Sequence, residues 1–364
     1  MKKILHIVPN MQSGGLETFI MNVYRNIDRE KIQFDFLVHY KEKKFYDDEI
    51  EKLGGKIYRF SLRNDNNIIK YIVELDKFFK EHKEYKIIHC HMESIGFLLF
   101  CIAKKNGVKI RIAHSHNSGM ENTLKGFIKG ILIRPYKYLS THRFACSNSA
   151  GKFLFGKKNF IVIENAIKLE KFLYNLETRC KVRKELKLQN KFVIGHVGRF
   201  CEQKNHNFLI DVFEKVYSIN NNSILILIGE GELKEKIQKK VNALNLKDNV
   251  MFLGNRRDVD ELYQAMDCFV FPSKSEGFGI VLLEAQASGL NVVTSNGVPE
   301  EVVVTPNIKL LDMDIDLWVN NISELALKKE REIIDDKIKQ YDIKVVANKL
   351  MQLYFELLKE VEDN

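Results

Sequence analysis

Two glutamates eight positions apart, Glu276 and Glu284, stand in the run PSKSEGFGIVLLEAQASG, with Gly277 and Gly279 between them. Glycines here let backbone amides approach a ligand closely, and a helix starting just after them favours negative charge at its N-terminus. Glu276 can point out from the loop. Glu284, about one and a half turns into the helix, can accept hydrogen bonds from two vicinal hydroxyls. The bland alternative is a loop acid and a solvated helix acid. Ala285, Ala287 and Gly289 argue against it, because they make that helix too apolar for an open surface.

A second constellation is GHVGRFCEQKNHNFLI. A strand ends in Gly198 and Arg199, and Lys204 precedes a helix starting near Asn207. Two cations flanking a strand-to-helix turn suit a diphosphate, Arg199 as a two-pronged donor and Lys204 as a point charge. Taken alone, they are equally consistent with surface cations. A third, NMQSGGLETFIMNV, sets Gly14 and Gly15 between a strand and a helix, like a loop that approaches phosphate. In IGEGELKEKI the glycines Gly229 and Gly231 begin a dinucleotide fingerprint, but Lys234 holds the third glycine's place, which weakens a nicotinamide dehydrogenase.

Histidine pairs end two strands, His89-Cys90-His91 and His114-Ser115-His116. Each pair leaves one face of its strand. With no carboxylate partner in view, polar-ligand contact is expected of them and no metal. Asp312, Asp314 and Asp316 imitate an acidic metal motif, but follow the last strands and read as a loop.

The elements that must position these groups alternate from end to end. Short apolar runs such as KKILHIV, YKIIHCH, KFVIGHVG and CFVFPS are separated by helical stretches such as Glu17–Ile27, Asn207–Ile219 and Glu232–Leu244. This is the pattern of parallel sheets covered on both faces, in an α/β fold. It restarts near Lys191, after a charged stretch from Lys168 to Asn190, so two Rossmann-like domains are predicted with a hinge between Asn165 and Asn190. The first comprises 1–165 with the C-terminal helix 345–364, and the second 166–344. Ligands of such sheets bind beyond the strands' carboxyl ends, and two domains facing a cleft would hold the chemistry there.

The 364 residues suit two domains, and no run is long and apolar enough to span a membrane. The N-terminus reads as a first strand and not a secretion signal, so a cytoplasmic protein is expected. Six cysteines without a C-x-x-C pair are expected to be mostly buried free thiols. Charge is uneven: residues 1–175 hold 31 basic and 18 acidic side chains, the remainder 26 and 30. A basic half calls for an anionic partner, and nucleic acid is not expected, since no binding motif accompanies the charge.

In this order the motifs resemble the GT-B glycosyltransferases, specifically the retaining family 4. The likeness runs through SGGLE, HCH, AHSHN, IENAI, VGRF, IGEGE, FLGNRRDVDELY, PSKSEGFGIVLLEAQASG and GVPEEV; the family's Asn-Gly after the seventh strand is here Asn165-Ala166. The resemblance implies a two-domain enzyme that moves a sugar from a nucleotide-diphosphate donor, a UDP-sugar, to an acceptor hydroxyl without a metal or other cofactor. It implies that Gly14, Gly15 and Gly198 let the loops approach the donor, and that Arg199 and Lys204 neutralise its diphosphate. Glu284 would hold the ribose, and Glu276 with the amides around Phe278, Gly279 and Ile280 the sugar. His116 would work near the transferred sugar, with His114 as substitute. The acceptor would be a saccharide or lipid-linked saccharide, as in cell-surface polysaccharide synthesis. Rivals are a nucleotide-sugar 2-epimerase and an inactive sugar-nucleotide-binding subunit. Between Asn122 and Arg143, cations (Lys125, Lys129, Arg134, Lys137) alternate with aromatic and aliphatic residues, which suits an anionic membrane surface on the inner face.

Overall fold

A computed structural model describes residues 1–12, 14–60, 67–92, 95–117, 133, 135–327, 331 and 336–362. The chain divides into two compact units, Met1–Ala166 with Tyr341–Asn364, and Ile167–Gln340.

The first unit holds strands β1 (Lys2–Val8), β2 (Ile32–Val38), β3 (Ile57–Arg59), β4 (Ile87–Cys90), β5 (Ile110–Ser115), β6 (His142–Ala145) and β7 (Ile161–Val162), in the order β3-β2-β1-β4-β5-β6-β7. The second holds β8 (Phe192–Val197), β9 (Ser223–Ile228), β10 (Val250–Gly254), β11 (Cys268–Phe271), β12 (Asn291–Ser295) and β13 (Ile308–Leu311), in the order β10-β9-β8-β11-β12-β13. Every described ladder is parallel. Parallel pairing requires a crossover after each strand, which is why apolar runs and helices alternate. In both sheets the order reverses beside the first strand, between β1 and β4 and between β8 and β11. At such switch points the loops at the strands' carboxyl ends part and leave room for a ligand.

Helix α1 (Gly15–Asn26) follows β1, and the last helix, α2 (Ile343–Glu362), returns to the first unit. Its buried Val346, Leu350, Tyr354 and Leu357 recur at helical spacing and join Phe19, Phe34 and Phe36 in one core. Truncating one such aliphatic side chain costs about 2–5 kcal/mol. Lys349 Nζ, 2.8 Å from Glu164, ties the same helix to the chain just after β7.

The charged stretch after Lys168 is helical over Leu169–Phe172 and Leu176–Glu185. Asn175 caps the longer helix, accepting from the Thr178 amide at 2.8 Å. Arg183 of that helix bonds Asp267, which in turn accepts from the Val193 amide at the start of β8. These ties join the stretch to the second unit's sheet.

The cysteines depart from expectation. Cys90, Cys146 and Cys268 are buried, but Cys101 and Cys180 are exposed and Cys201 is half-buried. Cys101 lies on the outward face of an otherwise apolar helix, where neighbours in sequence do not imply burial, and Cys180 lies in the charged helix Leu176–Glu185.

Candidate active site

In the second unit, β8 and β11 deliver the two cation- and glutamate-bearing loops side by side. After β8 the chain passes Gly198 and Arg199, makes a single 3₁₀ turn over Glu202–Lys204, and enters the helix His206–Ile219 through Asn205. Asn205 has φ +55°, a left-handed conformation that asparagine tolerates better than most residues. A Cβ on Gly198 would stand 2.9 Å from His196 Nε2 and 3.4 Å from Lys204 Cγ. Glycine there leaves room for the stem of Lys204.

Lys204 Nζ pairs with Glu276 Oε1, and both side chains are largely buried. The same carboxylate oxygen accepts from Ser273 Oγ, and the Phe271 ring centroid lies 4.8 Å from the ammonium. Arg199 differs. It is exposed and bonds Glu232 Oε2 at 2.9 Å, so it can swing to a ligand at little cost.

The loop after β11 is held from below. The Glu276 amide donates to Gly297 O at 2.9 Å, and Gly297 lies so close that a Cβ would stand 2.5 Å from Lys274 O. Phe278 is buried and anchors the loop, and Gly279 opens the helix Ile280–Ala287 with φ +84°, which favours glycine. Glu284 is the fifth residue of this helix. It is half-buried, while Leu282, Leu283, Ala285 and Ala287 are fully buried. Burial pushes its carboxyl up to about 7, opposed by a hydrogen bond from Tyr263 at 3.1 Å.

Gly229 and Gly231, the incomplete fingerprint, have a packing role. Both have positive φ, and a Cβ would meet Gly198 O at 2.2 Å and Phe200 O at 2.4 Å. They seat the loop after β9 against the loop after β8. The acidic run is also structural. Asp314 caps the helix Ile315–Leu325 by accepting from the Leu317 amide at 2.8 Å, and Asp312 accepts from Asn296 at 2.7 Å.

In the first unit, Gly14 caps α1 and Gly15 is its first residue. A Cβ on Gly15 would meet nothing within 4 Å among the described residues, whereas Gly14 is crowded by the Glu17 carboxylate. His89, His91, His114 and His116 all lie on the sheet face that α1 and α2 cover, as the alternation predicts. His6 of β1 and Tyr354 of α2 join them. His91 Nδ1 lies 2.8 Å from His116 Nε2, and His89 Nδ1 lies 2.6 Å from the Tyr354 hydroxyl. Burial pushes His116 down to about 3 and His114 well below its ordinary value, so both rings are neutral near pH 7. His114 is fully buried and His116 half-buried, which leaves His116 the more accessible of the pair.

Sequence reasoning did not single out Ser273, Tyr263, Glu232, His6 or Tyr354. Glu232 and Ser273 lie inside the quoted motifs IGEGELKEKI and PSKSEGFGIVLLEAQASG but carry no spacing that marks them. His6 is a polar residue on the face that also carries Ile4 and Val8, and that interruption is its signal. Tyr354 looks like any member of an apolar stripe.

Most of the segment 122–143 lies outside the described residues. Within it, Tyr138 is 67% exposed, with the ammonium groups of Lys137 and Lys158 at 5.4 and 4.2 Å from its ring centroid. No helix among the described residues is long and apolar enough to cross a membrane.

Two parallel sheets, with glycine loops, cations and glutamates at the strand ends of the second, give the α/β architecture of the GT-B fold. Residues 178–340 match the family model for glycosyl transferases group 1. The chain is 32% identical to a putative glycosyltransferase, EpsF, of Bacillus subtilis, over 97% of this chain and 96% of that protein. It is 27% identical to an Escherichia coli UDP-Gal:alpha-D-GlcNAc-diphosphoundecaprenol alpha-1,3-galactosyltransferase, over 99% and 95%. The fold matches Anabaena Alr3699/HepE, solved with UDP and glucose, with a TM-score of 0.82 at 18% identity, over 97% and 99% of the two chains. The chain belongs to the group 1 glycosyltransferases.

Proposed function

We propose that the protein transfers a sugar from a UDP-sugar to a hydroxyl of a saccharide acceptor, lipid-linked or free, in cell-surface polysaccharide synthesis. The transfer proceeds with retention at the anomeric carbon, a reading supported by the resemblance of its motifs to family 4. The observation that carries the reading is the grouping in the second unit of Lys204, Glu276 and Glu284 on the loops and helix that follow β8 and β11. The named relative in Escherichia coli uses UDP-galactose and a diphosphoundecaprenol-linked sugar, and HepE was solved with UDP and glucose, which supports the same donor class here.

Glu284 accepts the ribose hydroxyls. Glu276, with the amides around Phe278, Gly279 and Ile280, holds the sugar, and Gly14, Gly15 and Gly198 give the loops their close approach. As the glycosidic bond breaks, positive charge grows on the sugar and negative charge on the leaving diphosphate. Arg199 and Lys204 stabilise the second, in the role a metal fills elsewhere; a charge held in place as Lys204 is contributes about 3–4 kcal/mol to lowering the barrier, and the exposed Arg199 less. His116, neutral and half-buried, acts on the transferred sugar from the first unit. A lipid-linked acceptor brings the protein to the inner membrane face, and segment 122–143 is the proposed contact.

The test is release of UDP from a panel of UDP-sugars, with and without a saccharide-diphospholipid or free saccharide acceptor. Release that requires the acceptor supports transfer. Donor consumed without acceptor, giving a C2 epimer, supports the epimerase.

A further inference from the structure

Period-two alternation gathers five imidazoles on one face of the first sheet. His6 and His89 are register partners on β1 and β4, and His114 lies one step beyond the Cys90–Ala113 pair, opposite His91. Within this group, one ring nitrogen from each of His91, His114 and His116 lies within 4.8 Å of the other two.

Hydrogen bonding decides which nitrogens remain for a ligand. His114 Nδ1 faces His89 Nε2 at 3.0 Å, and His89 is itself held by Tyr354. His91 Nε2 faces His6 Nδ1 at 3.1 Å. What remains is the His91 Nδ1–His116 Nε2 pair, which shares a single hydrogen bond, and two buried nitrogens with no hydrogen-bond partner among the described residues, His6 Nε2 and, beside that pair, His114 Nε2. A histidine that binds a metal ordinarily has its second nitrogen held by a neighbour that fixes the ring. His89 does this for His114, and His6 for His91.

The bland alternative is a set of histidines that merely bond one another. It leaves His114 Nε2 unsatisfied in the core, at the desolvation cost of that group. A metal ligand set would use it.

We propose that His91, His114 and His116 form a cation site at the carboxyl ends of β4 and β5, suited to an ion of the zinc class. Three imidazoles with no carboxylate favour zinc or copper over magnesium, calcium or manganese. His116 is half-buried and Asn117 exposed, so the fourth position can be filled by water, as in open three-histidine zinc sites. Zinc–nitrogen bonds of about 2.0–2.1 Å set ligand nitrogens roughly 3.3 Å apart, so His91 and His116 need to part by about half an ångström and His114 to close on them from separations of up to 4.8 Å. These histidines belong to the first unit, and the cation pair proposed for the diphosphate to the second. A bound ion occupies His116, so zinc occupancy and work on the sugar exclude each other in one molecule. The test therefore reads binding.

Chelator-stripped full-length protein is titrated with Zn²⁺ by calorimetry and with Co²⁺ in the visible range. About one ion per chain is expected, with the bands of four-coordinate cobalt and no thiolate charge-transfer band. His91→Gln is expected to lower zinc affinity more than tenfold. His6→Phe, which keeps the ring's packing against Phe34 and Phe36, is expected to lower it by about 10–100-fold. The wild-type cobalt spectrum decides the matter even if a variant fails to fold. Lack of binding at micromolar zinc, a thiolate band, or equal affinity in a folded His91→Gln protein overturns the site. Failure here leaves the transfer reading untouched, since acceptor-dependent UDP release tests that separately.

Discussion

Tyr263 places its hydroxyl 3.1 Å from Glu284 Oε2 and equally far from the Val281 carbonyl, one turn earlier in the same helix. A buried phenol thus fixes the carboxylate assigned to the donor's ribose. Burial still raises that carboxyl to about 7, so its charge changes within the physiological range.

The sign follows from linkage. An acid raised from about 4.5 in the unfolded chain to about 7 in the fold contributes stability below pH 4.5, and loses it as pH rises through 7. Melting temperature is expected to fall as pH rises from about 4.5 to about 7, and Glu284→Gln to lessen that fall by about 2–4 °C. Differential scanning fluorimetry on both proteins checks it; parallel pH profiles would count against a raised carboxyl.

Lys204→Met should lower kcat by about 100–1000-fold while UDP affinity falls far less, because the ammonium's attraction grows as charge moves onto the diphosphate. Arg199→Ala, from an exposed position, should cost about tenfold less. Single-turnover rates beside calorimetric affinities separate the two effects. Wild-type activity should also survive a chelator. Loss on chelation and rescue by manganese would show that a metal, not these cations, serves the leaving group.

His116→Ala should slow transfer with UDP affinity nearly unchanged, since the residue belongs to the first unit. His114 lies deeper, on His89, so His114→Ala should cost stability instead. Full activity in a folded His116→Ala protein, beside an inactive but folded His114→Ala, would transfer the role to His114.

Vesicle sedimentation tests the segment 122–143. Each cation near an anionic leaflet contributes about 1 kcal/mol, so reversing Lys125, Lys129 and Lys137 should abolish pelleting with anionic vesicles at low salt. Equal recovery of wild type and variant, or none of either, would remove this segment as the anchor.

The two sheets were legible because parallel strands buried on both faces are written as apolar runs, and SILILI of β9 is an example. Glu276, Glu284, Arg199 and Lys204 were legible because glycines and helix starts mark their loops. Contacts across sequence were not. Nothing near Lys204 announces that Glu276, 72 residues on, takes its ammonium. The bond from His89 to Tyr354 spans 265 residues and depends on α2 returning to the first sheet. The His6 contact depends on strand register, which a single sequence does not reveal.

Calorimetric titration of UDP into wild type and Glu284→Ala tests the donor site most directly. Losing charge-assisted bonds to the ribose should weaken UDP by about 10–100-fold, with circular dichroism unchanged. Undiminished affinity in a folded Glu284→Ala protein would contradict the assignment of this helix to the sugar nucleotide.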